Sequence, residues 1–155
     1  MTARKLLYVE DSFDDRYLFI KAAERAEVSF RVLMVEDGQE AIDYLSGAKT
    51  FADRKKFPVP ELVLLDLKMP GVGGFEVLDW IRAQSTFREL PVFVFTSSYQ
   101  HVDIQRAYAR QATAFLTKPS DFSSLVRLAR AVNECFSSKG VRIEPVKNLP
   151  QYKRP

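Results

Sequence analysis

Residues of the kinds that bind metal ions and phosphate follow the apolar segments of this sequence. Glu10 and Asp11 come after LLYV, Asp66 after LVLL, Thr96 after VFVF, and Lys118 shortly after AFL. Carboxylates that lie close together repel one another unless a cation neutralises them. If these side chains converge, the three acids call for a hard divalent cation, and Mg²⁺ fits best. The amine and the hydroxyl then suit the oxygens of a phosphoryl group.

The elements that must position these residues follow from the hydrophobic pattern. Short apolar runs alternate with amphipathic stretches, which predicts an α/β protein in which five strands alternate with five helices. The runs are nearly continuous, as is typical of a parallel sheet covered on both faces. The predicted strands are 5–9, 30–35, 62–67, 92–95 and 114–116. Helical stripes are formed by Phe13, Tyr17 and Ile20, by Phe75, Leu78 and Ile81, and by Phe122, Leu125, Ala129 and Val132.

This architecture brings the polar residues together. Right-handed crossovers place the C-terminal ends of all parallel strands at one edge of the sheet, where ligands bind. Taken singly, an Asp or Thr after a strand usually caps the next helix, and a lone Lys is usually solvated. That explanation weakens because four such sites fall at the same end, and an aspartate in this setting is a competent nucleophile toward phosphorus.

Four motifs carry a family resemblance. VED at 9–11, LLDLKMPGVGG at 64–74, TS at 96–97 and TKP at 117–119 resemble the receiver domain of two-component response regulators, over about residues 4–138. The resemblance implies a flavodoxin-like fold with strand order 2-1-3-4-5. It also implies that Asp66 is the phosphoacceptor, that Asp11 binds Mg²⁺ directly, that Glu10 holds the metal through water, and that the main-chain carbonyl of Lys68 completes the metal site.

The resemblance assigns the remaining site residues as well. Thr96 would be the switch hydroxyl, Phe115 the aromatic switch residue, and Lys118 the phosphoryl-binding lysine. The family usually has a glycine just before the fifth strand, whereas Gln111 stands at or near that position here. The resemblance also implies a cis Lys118–Pro119 peptide bond, an isomer that X-Pro bonds alone adopt at low cost.

Two other functions compete with this interpretation. A haloacid-dehalogenase-type phosphatase also uses a strand-end aspartate as phosphoryl acceptor, but it places a general acid two residues later, where this chain has Lys68. A receiver-like module that binds partners without phosphorylation would lack the acceptor, a metal ligand or the lysine, and none is missing.

The length of the chain and the distribution of its charges predict its domain organisation. The 155 residues fit one core, so we expect a receiver domain at 1–138 and an extended basic tail at 139–155, without an output domain. Five basic residues and one acid lie in that tail, so the net charge of +3 leaves −1 on the rest of the chain. This distribution argues against nucleic-acid binding.

The absence of a long apolar run argues against a membrane segment, and the single cysteine fits a cytoplasmic protein.

The expected function is that of a stand-alone regulator, which catalyses only its own modification. It would take a phosphoryl group from a sensor histidine kinase and signal through protein contacts. The long loop at 46–60 and the LLDLKMP run are similar to small regulators paired with bacterial phytochrome-type kinases, with a chemotaxis-like or phosphorelay shuttle as the alternative. We also expect a homodimer through the face of the fourth helix, fifth strand and fifth helix.

Overall fold

The computed structural model describes residues 3–155 and is built around a six-stranded sheet. Its strands are β1 (Lys5–Val9), β2 (Arg31–Val35), β3 (Leu62–Leu65), β4 (Val92–Thr96), β5 (Ala114–Thr117) and β8 (Tyr152–Lys153). They lie in the order β2-β1-β3-β4-β5-β8, in which the first five strands are parallel and the last is antiparallel. The predicted flavodoxin-like order 2-1-3-4-5 is confirmed. The sixth strand was not predicted.

The central strands are buried on both faces, as their apolar sequences predict. Successive side chains of a strand point to opposite faces of the sheet. Leu7 and Val9 of β1 accordingly join one core cluster, and Leu6 and Tyr8 join the other. Both faces of the sheet are therefore covered by helices. The predicted polar site lies at the remaining edge, where the C-terminal ends of the parallel strands meet.

Within residues 3–155, six α-helices pack around the sheet. They are α1 (Phe13–Arg25), α2 (Gly38–Ser46), α3 (Gly74–Ala83), α4 (His101–Ala109), α5 (Phe122–Cys135) and α6 (Glu144–Lys147). Three of them begin with a side-chain cap, in which Ser12, Asp37 and Asp121 each accept a hydrogen bond from a main-chain N–H of the first turn. The predicted loop at 46–60 contains a 3-10 helix, Lys49–Ala52. No helix in the described range 3–155 is both long enough and apolar enough to cross a membrane.

The C-terminal segment 139–155 folds onto the body of the protein. It contains β7 (Gly140–Val141), which forms a small hairpin with β6 (Phe136–Ser137), then α6 and then β8. Val146 of α6 is fully buried in the core beside α5, and β8 pairs with β5. The prediction of an extended tail is therefore only partly right, because the segment is extended at its short strands and helical at α6 between them.

Two local expectations can be compared with the backbone. The prediction of a cis Lys118–Pro119 bond was wrong, since none of the described peptide bonds is cis; the trans isomer is the intrinsically favoured one. Gln111 has φ +66°, the left-handed conformation that glycine adopts most easily. The chain therefore keeps a glycine-like turn before β5 with a glutamine in it.

Candidate functional site

An acidic group lies at the C-terminal ends of β1 and β3. Glu10, Asp11 and Asp66 each offer a carboxylate oxygen, and these three oxygens lie within 4.8 Å of one another. The main-chain N–H of Asp66 donates to the carbonyl of Val9 at 3.1 Å, which fixes the two strand ends side by side. Glu10 and Asp66 are buried, whereas Asp11 is exposed. The arrangement suits a hard cation that approaches from the solvent side.

Glu10 is held by three donors. The hydroxyl of Tyr8 donates to its Oε1 at 3.2 Å, the main-chain N–H of Ser12 donates to its Oε2 at 3.1 Å, and the ammonium of Lys118 donates to Oε1. Burial raises the pKa of Glu10 to about 7, and the nearby charge of Asp66 adds to this effect while Lys118 opposes it. A cation at the acidic group would favour the ionised form of this carboxyl.

Lys118 links the acidic group to α1. Besides Glu10, its ammonium donates to Oδ2 of Asp15 at 2.7 Å and to Oδ2 of Asp66 at 3.5 Å. Burial lowers the pKa of Lys118, but these acidic neighbours outweigh it and raise the pKa above its ordinary value. The amine therefore stays a cation beside the Asp66 carboxylate.

Thr96 and Phe115 lie on neighbouring strands next to this group. Thr96, the last residue of β4, is buried, and its carbonyl accepts the main-chain N–H of Lys118 at 2.8 Å. Its hydroxyl accepts the N–H of Ser98 at 3.4 Å. Phe115 of β5 is fully buried and pairs with Val94 of β4. The structure thus brings the hydroxyl, the amine and the acids to one edge, as predicted.

The loop between β3 and α3 carries Lys68 and passes very close to α3. A Cβ on Gly74 would lie 2.2 Å from the carbonyl oxygen of Asp66 and 2.7 Å from the Cα of Leu67, so only glycine fits there. This close approach explains the glycine at the end of LLDLKMPGVGG. The ammonium of Lys68 lies 3.8 Å from Oδ2 of Asp103.

Two residues of this region were missed by sequence reasoning. Asp15 contacts Lys118, and Asp103 is buried near Lys68. Each lies in the first turn of a helix, where an acid is expected for capping or for the helix dipole alone. That ordinary role hides the tertiary contact of both residues.

Comparison with known proteins agrees with this geometry. Residues 6–130 match the response regulator receiver domain. A probable methanogenesis regulatory protein, FilR2 of Methanothrix harundinacea, is 35% identical over 133 residues, which cover 83% of this chain and 81% of that protein.

The fold is shared with solved structures of other response regulators. The phosphorylated cyanobacterial phytochrome response regulator RcpA has a TM-score of 0.80 and 31% identity, with 90% of this chain and 98% of that one covered. The Mn²⁺-bound response regulator Rcp1, a protein of Synechocystis, has a TM-score of 0.74 and 27% identity, with 84% and 92% covered.

The chain therefore belongs to the response regulator receiver domain family. Receiver domains are signalling proteins of two-component systems, and the family binds a divalent metal. The acidic group of Glu10, Asp11 and Asp66 fits that property.

Proposed function

We propose that this protein is a single-domain response regulator that accepts a phosphoryl group on Asp66 from a phosphohistidine of a sensor histidine kinase. The observation that carries the proposal is the position of Asp66. Its carboxylate is buried, lies 3.5 Å from the ammonium of Lys118, and belongs to a group of three carboxylates within 4.8 Å. A nucleophile, a cation for the phosphoryl oxygens and a metal site are thus in one place.

The donor set supports Mg²⁺. Asp11 and Asp66 would bind the metal directly, together with the main-chain carbonyl of Lys68. Glu10 would act through a water molecule, because both of its oxygens already accept hydrogen bonds. When bound, the ion would neutralise charge on the phosphoryl oxygens and align them for transfer.

The protein's own groups supply the rest of the reaction. An Asp66 oxygen attacks phosphorus, the P–N bond to the kinase histidine breaks, and an aspartyl phosphate forms. Lys118 would leave its carboxylate partners in part to pair with a phosphoryl oxygen, and the Thr96 hydroxyl would donate to another. Movement of Thr96 would free space for Phe115 on the adjacent strand, so that the two residues form the switch.

The likeness to RcpA supports a phytochrome-type kinase as the partner of this chain. We place the protein in the cytoplasm, with signalling through protein contacts and without nucleic acid or membrane partners. A homodimer would form on the face of α4, β5 and α5, strengthened by phosphorylation. In this chain β8 lies on the edge of β5 and so becomes part of that face.

Phosphorylation is tested with Mg²⁺ and acetyl phosphate by mass spectrometry of the intact protein. The wild type should gain one acid-labile phosphoryl group, and chelation of the metal should prevent it. Asp66→Asn should gain none, whereas Asp14→Asn, which changes an exposed carboxylate of α1, should behave like the wild type. Equal labelling of Asp66→Asn would refute the assignment.

The dimer is tested by sedimentation with and without beryllofluoride. A shift toward the dimer with beryllofluoride is expected, and Thr96→Ala should weaken that shift. A protein that stays monomeric at high concentration in both conditions would refute the dimer.

A further inference from the structure

Asp103 is a buried carboxylate outside the acceptor site. Leaving tyrosines aside, four residues with carboxylate or hydroxyl side chains are buried in the described part of the chain: Glu10, Asp66, Thr96 and Asp103. The first three belong to the proposed phosphorylation site. Asp103, only 7% exposed, lies in the first turn of α4 and has no role there.

The contacts of Asp103 point toward that site. The hydroxyl of Ser98 donates to its Oδ2 at 2.5 Å, and the ammonium of Lys68 lies 3.8 Å from the same oxygen. Lys68 follows Asp66 by two residues, and Ser98 follows Thr96 by two. Asp103 therefore ties together the two loops that carry the proposed acceptor and the proposed switch hydroxyl.

Among residues 3–155, Asp103 is the one carboxylate that pairs with Lys68 within 4.0 Å. The Lys68 side chain is 64% exposed. A groove of about 500 Å³ opens beside it, lined also by residues 97–100. A long, flexible cation next to open solvent would otherwise sample many positions, including those over the acceptor.

We propose that Asp103 is a positioning residue that holds Lys68 away from Asp66 and thereby keeps the aspartyl phosphate open to water. This inference rests on the proposed function. In hydrolysis a water oxygen bonds to phosphorus, the bond from phosphorus to the Asp66 oxygen breaks, and carboxylate and inorganic phosphate are produced with release of the water's proton. The water must approach from the side opposite Asp66. If the charge of Asp103 is removed, Lys68 turns to the phosphoryl oxygens and its side chain obstructs that approach.

The test compares the half-lives of the phosphorylated forms after removal of acetyl phosphate. Asp103→Asn keeps an oxygen that can accept the Ser98 hydroxyl but removes the charge that attracts Lys68. The half-life should lengthen by about threefold, the size expected for losing a partly exposed ion pair. Asp79→Asn is the matched control, since Asp79 is an exposed carboxylate that pairs with Arg110 at 3.2 Å. Its half-life should equal that of the wild type.

The same substitution made in a Lys68→Ala variant distinguishes positioning of Lys68 from a general structural effect of changing Asp103. In Lys68→Ala, which keeps the main-chain carbonyl, addition of Asp103→Asn should no longer change the half-life. A shorter or unchanged half-life in the single Asp103→Asn variant, or an equal change in the Lys68→Ala background, would overturn the proposal. Failure of the proposed function would look different, because the wild type itself would then take up no phosphoryl group.

Discussion

Tyr108 and Phe115 are joined by a hydrogen bond in which the main-chain N–H of Phe115 donates to the Tyr108 hydroxyl at 3.1 Å. The same hydroxyl donates to the carbonyl of Lys153 at 2.6 Å. One side chain of α4 thus connects β5, which carries the proposed aromatic switch, to β8 of the C-terminal segment.

Tyr108→Phe should weaken the attachment of β8. Loss of the hydroxyl removes two hydrogen bonds in a partly buried place, so the free energy of unfolding should fall by about 1 kcal/mol. Hydrogen exchange should become faster at the amides of Phe115 and Thr117. Tyr99→Phe is the control, because Tyr99 is 75% exposed. Unchanged exchange in Tyr108→Phe would show that the hydroxyl does not hold the segment.

Asp11→Asn should reduce Mg²⁺ affinity by about tenfold, since the site loses a charged oxygen ligand. Phosphorylation should fall with it. The apo protein should melt at the same or a higher temperature, because repulsion among the carboxylates is relieved. Calorimetric titration and thermal melts measure the two effects, with Asp14→Asn as control. Lower stability together with an unchanged titration would contradict both parts.

Gly74→Ala should disturb the acceptor loop. A Cβ at this position would overlap the carbonyl oxygen of Asp66, so the loop must shift and both stability and phosphorylation should decrease, stability by about 2 kcal/mol. Gly73→Ala is a close control, because its Cβ would meet only the carbonyl of Leu67 at an ordinary 3.6 Å. Equal effects of the two substitutions on phosphorylation would argue against the steric explanation.

Gln111→Gly should stabilise the protein by about 1 kcal/mol, because the left-handed backbone at this position is strained for a residue with a Cβ. Gln105→Gly, in the exposed middle of α4, should destabilise it by a similar amount. Denaturant unfolding measures both. A loss of stability in Gln111→Gly would mean that the side chain contributes more than the strain costs.

The sequence allowed prediction of the sheet because each of its five parallel strands is an apolar run that ends in polar residues. β8 could not be predicted in the same way. It has only two residues, too few for a hydrophobic pattern, and the strand with which it pairs, β5, lies more than 30 residues earlier in the chain.

The residues of the site also differ in how far they could be predicted from the sequence. Residues at strand ends, such as Asp66 and Lys118, were predictable from topology together with the family motifs. Asp15 and Asp103 were not, since their contacts are made across helices whose relative placement is set by packing.

The most direct measurement of the central claim is the location of the phosphoryl group. The phosphorylated protein can be reduced with borohydride, which converts an aspartyl phosphate to homoserine, and then mapped by peptide mass spectrometry. We predict homoserine at position 66 alone, in an amount that matches the phosphoryl content of the intact protein. Homoserine at Asp11, or phosphorylated protein with unmodified Asp66, would contradict the assignment of Asp66 as the phosphoacceptor.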